Sequence, residues 1–129
     1  MNKQLKSPKE WFKQAGYDLE TAEAMFKTVR YIYTVFMCHL SLEKALKGLY
    51  TKKFHQVPPR IHNLIYFIEK IGLKPPEEIY DSIFSLNRVS IPTRYPDNLT
   101  RMLKEYNQKI TKAMLKSSEE ALKWLKTKL

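Results

Sequence analysis

Only three glycines occur in 129 residues, at positions 16, 48 and 72. Gly and Pro punctuate β-rich folds at close intervals, so long stretches free of both favour helices. Three isolated glycines also exclude a Gly-x-Gly-x-x-Gly or Walker-type phosphate loop. The single cysteine, Cys38, excludes an internal disulfide and a Cys-pair zinc site. It lies in an apolar run, where a buried, inert thiol is expected. The histidines at 39, 55 and 62 form no His-x-x-x-His pair, and no Glu-x-x-His occurs, so the sequence gives no reason to expect a metal or other cofactor. Long hydrophobic runs are missing too. The most apolar stretch, Tyr31 to Leu42, is too short to span a bilayer and runs into Glu43 and Lys44. The opening MNKQLKSPKEW lacks the apolar core of a secretory signal. Together with the sparse cysteine these features lead us to expect a cytoplasmic protein without membrane contact.

What is present is ample material for one core. Hydrophobic residues make up 43% of the chain and aromatics 12%, and a chain of 129 residues has room for one domain, covering 1–129. The prolines at 8, 58–59, 75–76, 92 and 96 mark the boundaries between elements. Ser7, Pro8 and Glu10 form a helix-start signature with a capping box. From there Trp11, Ala15, Leu19, Ala22, Phe26 and Val29 recur on one face, predicting a first helix to about Val29. A second helix over Tyr31–Phe54 is apolar almost all round in its first half, which is the mark of a central helix. The loop around Pro58-Pro59 precedes a short third helix, about His62 to Ile71, closed by Gly72. Glu77-Glu78 open a fourth helix, to about Asn87. Val89 to Asp97, with two prolines, reads as a loop. A long fifth helix runs from about Asn98, with Leu99, Leu103, Tyr106, Ile110, Ala113, Ser117, Ala121 and Trp124 as its stripe. The expected fold is all-α, an up-and-down bundle of three long helices with two short ones closing one end.

The net charge of +10 is uneven: +4 in residues 31–60 and +5 in 98–129, against +2 in 1–30 and −1 in 61–97. Such a bias fits contact with a phosphate-bearing or acidic partner. Lysine-rich faces on exposed helices are also ordinary solubility devices, and no arginine-rich cluster occurs. On helix 2, His39, Glu43 and Lys47 stand four residues apart on one face, where Glu43 reaches both neighbours. A self-satisfied polar seam and a surface kept for a ligand are both open readings.

Three separated pieces stand out: Cys38-His39-Leu40-Ser41-Leu42-Glu43-Lys44-Ala45-Leu46-Lys47-Gly48-Leu49, then Ile61-His62-Asn63-Leu64, then Arg94-Tyr95-Pro96-Asp97. They resemble, in this order, the Glu-Lys-Ala-Leu-Lys helix signature of the HEPN family (higher eukaryotes and prokaryotes nucleotide-binding), its His-Asp-Leu with Asn63 in place of the acid, and the Arg-Tyr-Pro-Asp of one branch. The opening Trp11-x(6)-Asp18-Leu19-x-x-Ala22 and Trp124 fit as well. The resemblance covers essentially the whole chain.

That resemblance implies a helical bundle, commonly a homodimer, often working beside a small nucleotidyltransferase in a two-protein module. The family's activities range from nucleotide binding to RNA cleavage by toxins. Cleavage in the nuclease branch uses Arg, four to six residues, then His, so that a proton carrier and a cation reach one phosphate. No arginine here (30, 60, 88, 94, 101) has a histidine at that spacing. The chain therefore reads as a binding or regulatory subunit with no catalytic residues of that type, and an atypical ribonuclease toxin is the alternative. Lys44, Lys47 and Arg94 are candidate phosphate donors. His62 and Tyr95 are candidates for a base or sugar, and Glu43 belongs to the same group. Asp97 is either a ligand contact or the cap of helix 5. Arg94 pairing with Glu43 across the bundle is the competing structural account.

Overall fold

The computed structural model describes residues 5–129, which form six helices: α1 (Pro8–Lys27), α2 (Tyr31–Phe54), α3 (Leu64–Ile71), α4 (Glu77–Arg94), α5 (Leu99–Glu105) and α6 (Gln108–Lys126). The all-α expectation holds. The helix inventory does not, because four helices are long and two are short.

Helix α1 starts as its sequence dictates. Ser7 Oγ accepts from the Glu10 N–H at 3.1 Å, with Pro8 at the first helical position. The Glu10 carboxylate, however, takes a hydrogen bond from Gln14 Nε2 at 2.9 Å, so only the serine half of the capping box forms. The helix stops at Lys27, short of Val29, which lies in the left-handed region at φ +64° and turns the chain into α2. Helix α2 has the predicted bounds and is the hub, with α1, α3, α4 and α6 packed around it. At Gly48 a Cβ would stand 2.9 Å from Trp11 Cβ, so the missing side chain lets α1 lie close. Ser41 Oγ adds a 2.7 Å bond to the Ala15 carbonyl across the same contact.

Helix α3 begins two residues later than expected, because Asn63 is its N-cap and accepts from Tyr66 N–H at 3.1 Å. Gly72 closes it at φ +82°, as predicted.

The stretch from Val89 to Arg94, expected to be loop, is instead helical and extends α4 to Arg94. Ile83, Leu86, Ser90 and Thr93 are buried at steps of three and four, so a single inward face runs straight through Pro92. Pro92 supplies no N–H to the Arg88 carbonyl, a loss confined to the last turn before the helix ends at Arg94. Thr93 Oγ1 donates to the Val89 carbonyl at 2.6 Å beside it. Ser90 and Thr93 read as polar in the sequence, and this hid the face.

The predicted fifth helix is broken at Tyr106-Asn107. Asn98 caps α5, accepting from Arg101 N–H at 2.9 Å, and Asn107 caps α6, accepting from Ile110 N–H at 3.0 Å. Asp97 is therefore not the cap. The break shifts the phase of the stripe. Met102, Tyr106, Thr111, Leu115, Ser118, Ala121 and Leu125 face inward, while Leu99, Leu103 and Ile110 are exposed. Among the described residues no helix is long and apolar enough to cross a membrane.

Candidate functional site: a cationic cavity beside a buried carboxylate

Glu43 lies on the flank of α2 that faces α3 and α4, and it is 4% exposed. Its Oε1 stands 2.9 Å from His62 Nδ1 and its Oε2 accepts from Lys47 Nζ at 3.0 Å. His39, one turn before it, approaches Oε1 at 3.7 Å. Burial pushes the His39 imidazole down to about 4, against the opposing pull of Glu43 and of the His62 backbone, while the Arg94 charge acts in the same sense as burial. His39 is thus neutral near pH 7, and neither of its ring nitrogens has a hydrogen-bond partner. The polar seam on α2 exists, with Glu43 as its centre and His62 as a member from outside the helix.

His62 is half exposed on its side chain and stands at the edge of a cavity of about 400 Å³ between the start of α3 and the second half of α4. Asn63, Asn87, Arg88, Ser90, Ile91, Arg94 and Tyr95 line the rest. The two asparagines lock the walls together. Asn87 Oδ1 accepts from Leu64 N–H at 2.7 Å, and Asn87 Nδ2 donates to Asn63 Oδ1 at 3.3 Å. Asn63 Oδ1 thus both caps α3 and accepts from α4.

No acidic side chain lines this cavity, and among the described residues neither Arg88 nor Arg94 is paired with a carboxylate. The expected alternative, an Arg94–Glu43 pair, does not form. Arg94 instead lays its guanidinium 5.0 Å from the Phe36 ring centre, and its buried Nε has no hydrogen-bond partner. A buried, unmatched donor costs stability unless a ligand or water meets it.

The remaining candidates divide. His62, Arg94 and Tyr95 are gathered at the cavity, with Glu43 behind His62. Lys47 is held by Glu43. Lys44 points to the other flank of α2, where it pairs with the buried Asp18 at 2.9 Å. Asp97 lines a neighbouring cavity of about 260 Å³ that also holds Tyr95 and Arg101. Arg88, Asn87 and Ser90 were not singled out in the sequence. Extending α4 through Pro92 would have found Asn87 and Arg88, since these then share one face with Ile91 and Arg94, whereas Ser90 belongs to the inward face. A larger open depression along α1, about 750 Å³, mixes Glu10, Asp18 and Glu20 with lysines and has no such single-sign lining. The Cys38 thiol is fully buried and pushed up to about 12 by that burial, which makes it a poor nucleophile. Among the described residues no group of three or more His, Cys, Asp or Glu could hold a metal ion.

The fold and cavity define a class: a helical bundle built round one central helix, with a basic pocket where two flanking helices meet. The chain belongs to the HEPN domain family, whose model matches residues 8–128. It is similar to the crystal structure of TT1696 from Thermus thermophilus at 25% identity and a TM-score of 0.83. It is likewise similar to ST0689, an archaeal HEPN homologue, at 26% identity and a TM-score of 0.75. Each alignment covers 95% of this chain and 98% of the other. No curated protein matches the chain.

Proposed function

We propose that the α3–α4 cavity binds a phosphate-bearing ligand, a nucleotide or an RNA segment, and that the chain is a non-catalytic HEPN subunit. The observation that carries this reading is the convergence of Arg88 and Arg94, neither paired with a carboxylate, on a cavity without acids. Guanidinium groups in such a setting are matched to phosphate oxygens. Tyr95, 70% exposed at the rim, supplies a face on which a base can stack. The Arg94-Tyr95-Pro96-Asp97 sequence and the missing Arg-to-His spacing speak, on resemblance, for the non-nuclease branch. The same resemblance adds a small nucleotidyltransferase as partner and a homodimeric state.

Titration with ATP and with single-stranded RNA, followed by calorimetry, tests the cavity. Arg94→Ala and Arg88→Ala are each expected to weaken binding ~10-fold or more, the loss of a charge-assisted contact. Lys44→Ala, on the other flank, is expected to leave affinity unchanged. Absence of binding to either probe, or indifference to Arg94→Ala, overturns the reading. The partner is tested by copurification with a nucleotidyltransferase encoded next to this chain; isolation always alone counts against it.

One observation favours a second reading, an atypical ribonuclease toxin. Glu43 orients His62, whose Nε2 has no hydrogen-bond partner among the described residues, beside two arginines. A carboxylate-held imidazole and cations around one phosphate are what 2′-hydroxyl attack requires. Growth arrest on expression, relieved by His62→Ala and by Arg94→Ala, would support that reading. Harmless expression with intact RNA would dismiss it.

A further inference from the structure

On the other flank of α4, where it packs on α6, lies a cavity of about 230 Å³. Leu86, Ala113 and Met114 give it an apolar floor. Its polar groups are the Asp81 carboxylate and the hydroxyls of Ser82, Ser85 and Ser117; no cationic or amide side chain lines it. Hydrogen bonds within each helix decide what these groups offer. Ser82 Oγ donates to the Glu78 carbonyl at 2.9 Å, and Ser117 Oγ donates to the Ala113 carbonyl at 2.8 Å. A hydroxyl has one proton, so these two oxygens present only lone pairs to the cavity. Among the described residues Asp81 takes part in no ion pair, and neither do Glu77 and Glu78 one turn earlier. Lys and Arg outnumber Asp and Glu in this chain by 23 to 13, yet none of them is spent here. Lys109, Lys112 and Lys116 of α6 lie outside the cavity. Beside it the outer face of α4 carries Tyr80 and Phe84, 36% and 44% exposed, with ring centres 6.3 Å apart. Phe84 stands one turn past Asp81, and exposed Ile110 one turn before Ala113 and Met114.

We propose that this α4–α6 cavity receives a lysine or arginine side chain from a basic segment of a partner protein. Acceptors around an apolar floor are the complement of a cationic head on an aliphatic stem. The stem lies along Leu86 and Met114, and the head meets Asp81 and the two serine oxygens. Apolar neighbours on the same segment cover Phe84 and Tyr80. Charge selects this occupant. A phosphate or an acidic peptide would meet Glu77, Glu78 and Asp81 with no cation to balance it. A free polyamine would match Asp81 and leave the aromatic pair bare. The site shares no residue with the arginine cavity between α3 and α4, so an anionic ligand there and a basic segment here can be held together.

Nuclear magnetic resonance titration of the full chain with a capped peptide of alternating leucine and lysine tests the proposal. A protein of net charge +10 repels such a peptide overall, so binding reports the local site. Amide shifts are expected at Asp81, Ser85 and Ser117, saturating at ~1 mM peptide or below, and not at Asn63 or Arg94. Asp81→Asn is expected to raise the dissociation constant ~10-fold, the loss of one charge-assisted contact, and Ala113→Leu to do the same by filling the cavity. Both positions are exposed, and an unchanged circular dichroism spectrum confirms the fold. The same peptide with glutamine for each lysine is expected not to bind. Shifts absent from α4 and α6, equal binding of the glutamine peptide, or indifference to Asp81→Asn overturns the proposal. Spermidine binding as tightly as the peptide overturns the partner protein as occupant. An oligomer of the wild type that Asp81→Asn breaks up in sedimentation assigns the cavity to a second copy and overturns it too.

Discussion

Glu43 Oε1 lies 2.9 Å from His62 Nδ1, joining the buried middle of α2 to the half-exposed ring at the cavity edge. The contact fixes which nitrogen of His62 faces inward and leaves Nε2 toward the opening. It also gives Glu43 two cationic or proton-donating partners, His62 and Lys47, around one buried carboxylate.

Removing that carboxylate should therefore cost stability before it costs binding. Glu43→Ala strands Lys47, whose side chain is only 12% exposed, and is expected to lower unfolding free energy by about 3 kcal/mol. Urea denaturation measures it. A loss below about 1 kcal/mol would show that Lys47 finds another partner or reaches water.

His39 sets an acid-side dependence. Its folded value, pushed down to about 4, lies below the 6.5 of an unfolded histidine. Between those values the unfolded chain binds more protons, so stability is lost as pH falls from above 6.5 toward 4 and changes no further below that. The full effect is on the order of 3 kcal/mol. Glu119 acts in the opposite sense: burial and then Glu23 hold its carboxyl above the usual range, so its contribution is lost as pH rises. The comparison of wild type with His39→Leu, by thermal melts at pH 4.5 and 7.5, isolates the histidine. The variant should lose less on acidification; equal losses would remove His39 from the account.

Gly48→Ala puts a methyl group within 2.9 Å of Trp11 Cβ, an atom close to the α1 backbone that cannot swing away. The expected destabilisation is about 1–3 kcal/mol, even after the gain in helix propensity. A variant as stable as wild type would mean that α1 slides along α2 at no cost.

Val29 holds a left-handed backbone that a β-branched residue rarely adopts, and its side chain is 64% exposed. Val29→Gly removes that strain without opening the core. It is expected to raise stability by about 1 kcal/mol, visible as a higher Tm. A drop in Tm would assign the side chain a packing role.

How far the sequence reached is clearest at α2 and α4. The bounds of α2 were legible because the run from Tyr31 to Phe54 holds no proline and only one glycine, Gly48, and its all-round apolar first half agreed with burial. The second half of α4 was not, because a proline is a local signal while the inward face of Ser90 and Thr93 exists only against α2 and α6. The fifth predicted helix failed for a related reason. Tyr106 and Asn107 carry no breaking residue, yet a two-residue break there re-phases everything after it.

The candidate site divides along the same line. The sequence by itself determined the helical class and the family and nominated His62, Arg94 and Tyr95 as candidates, since these rest on composition and on motifs read in order. Only the tertiary structure decided which charges are free. Lys44 and Lys47 look like phosphate donors in one dimension, but Asp18 and Glu43 hold them. Arg88 looks unremarked, but it lines the same cavity as Arg94. Pairing between charges depends on distances of a few ångströms across helices, and no spacing within one helix encodes those.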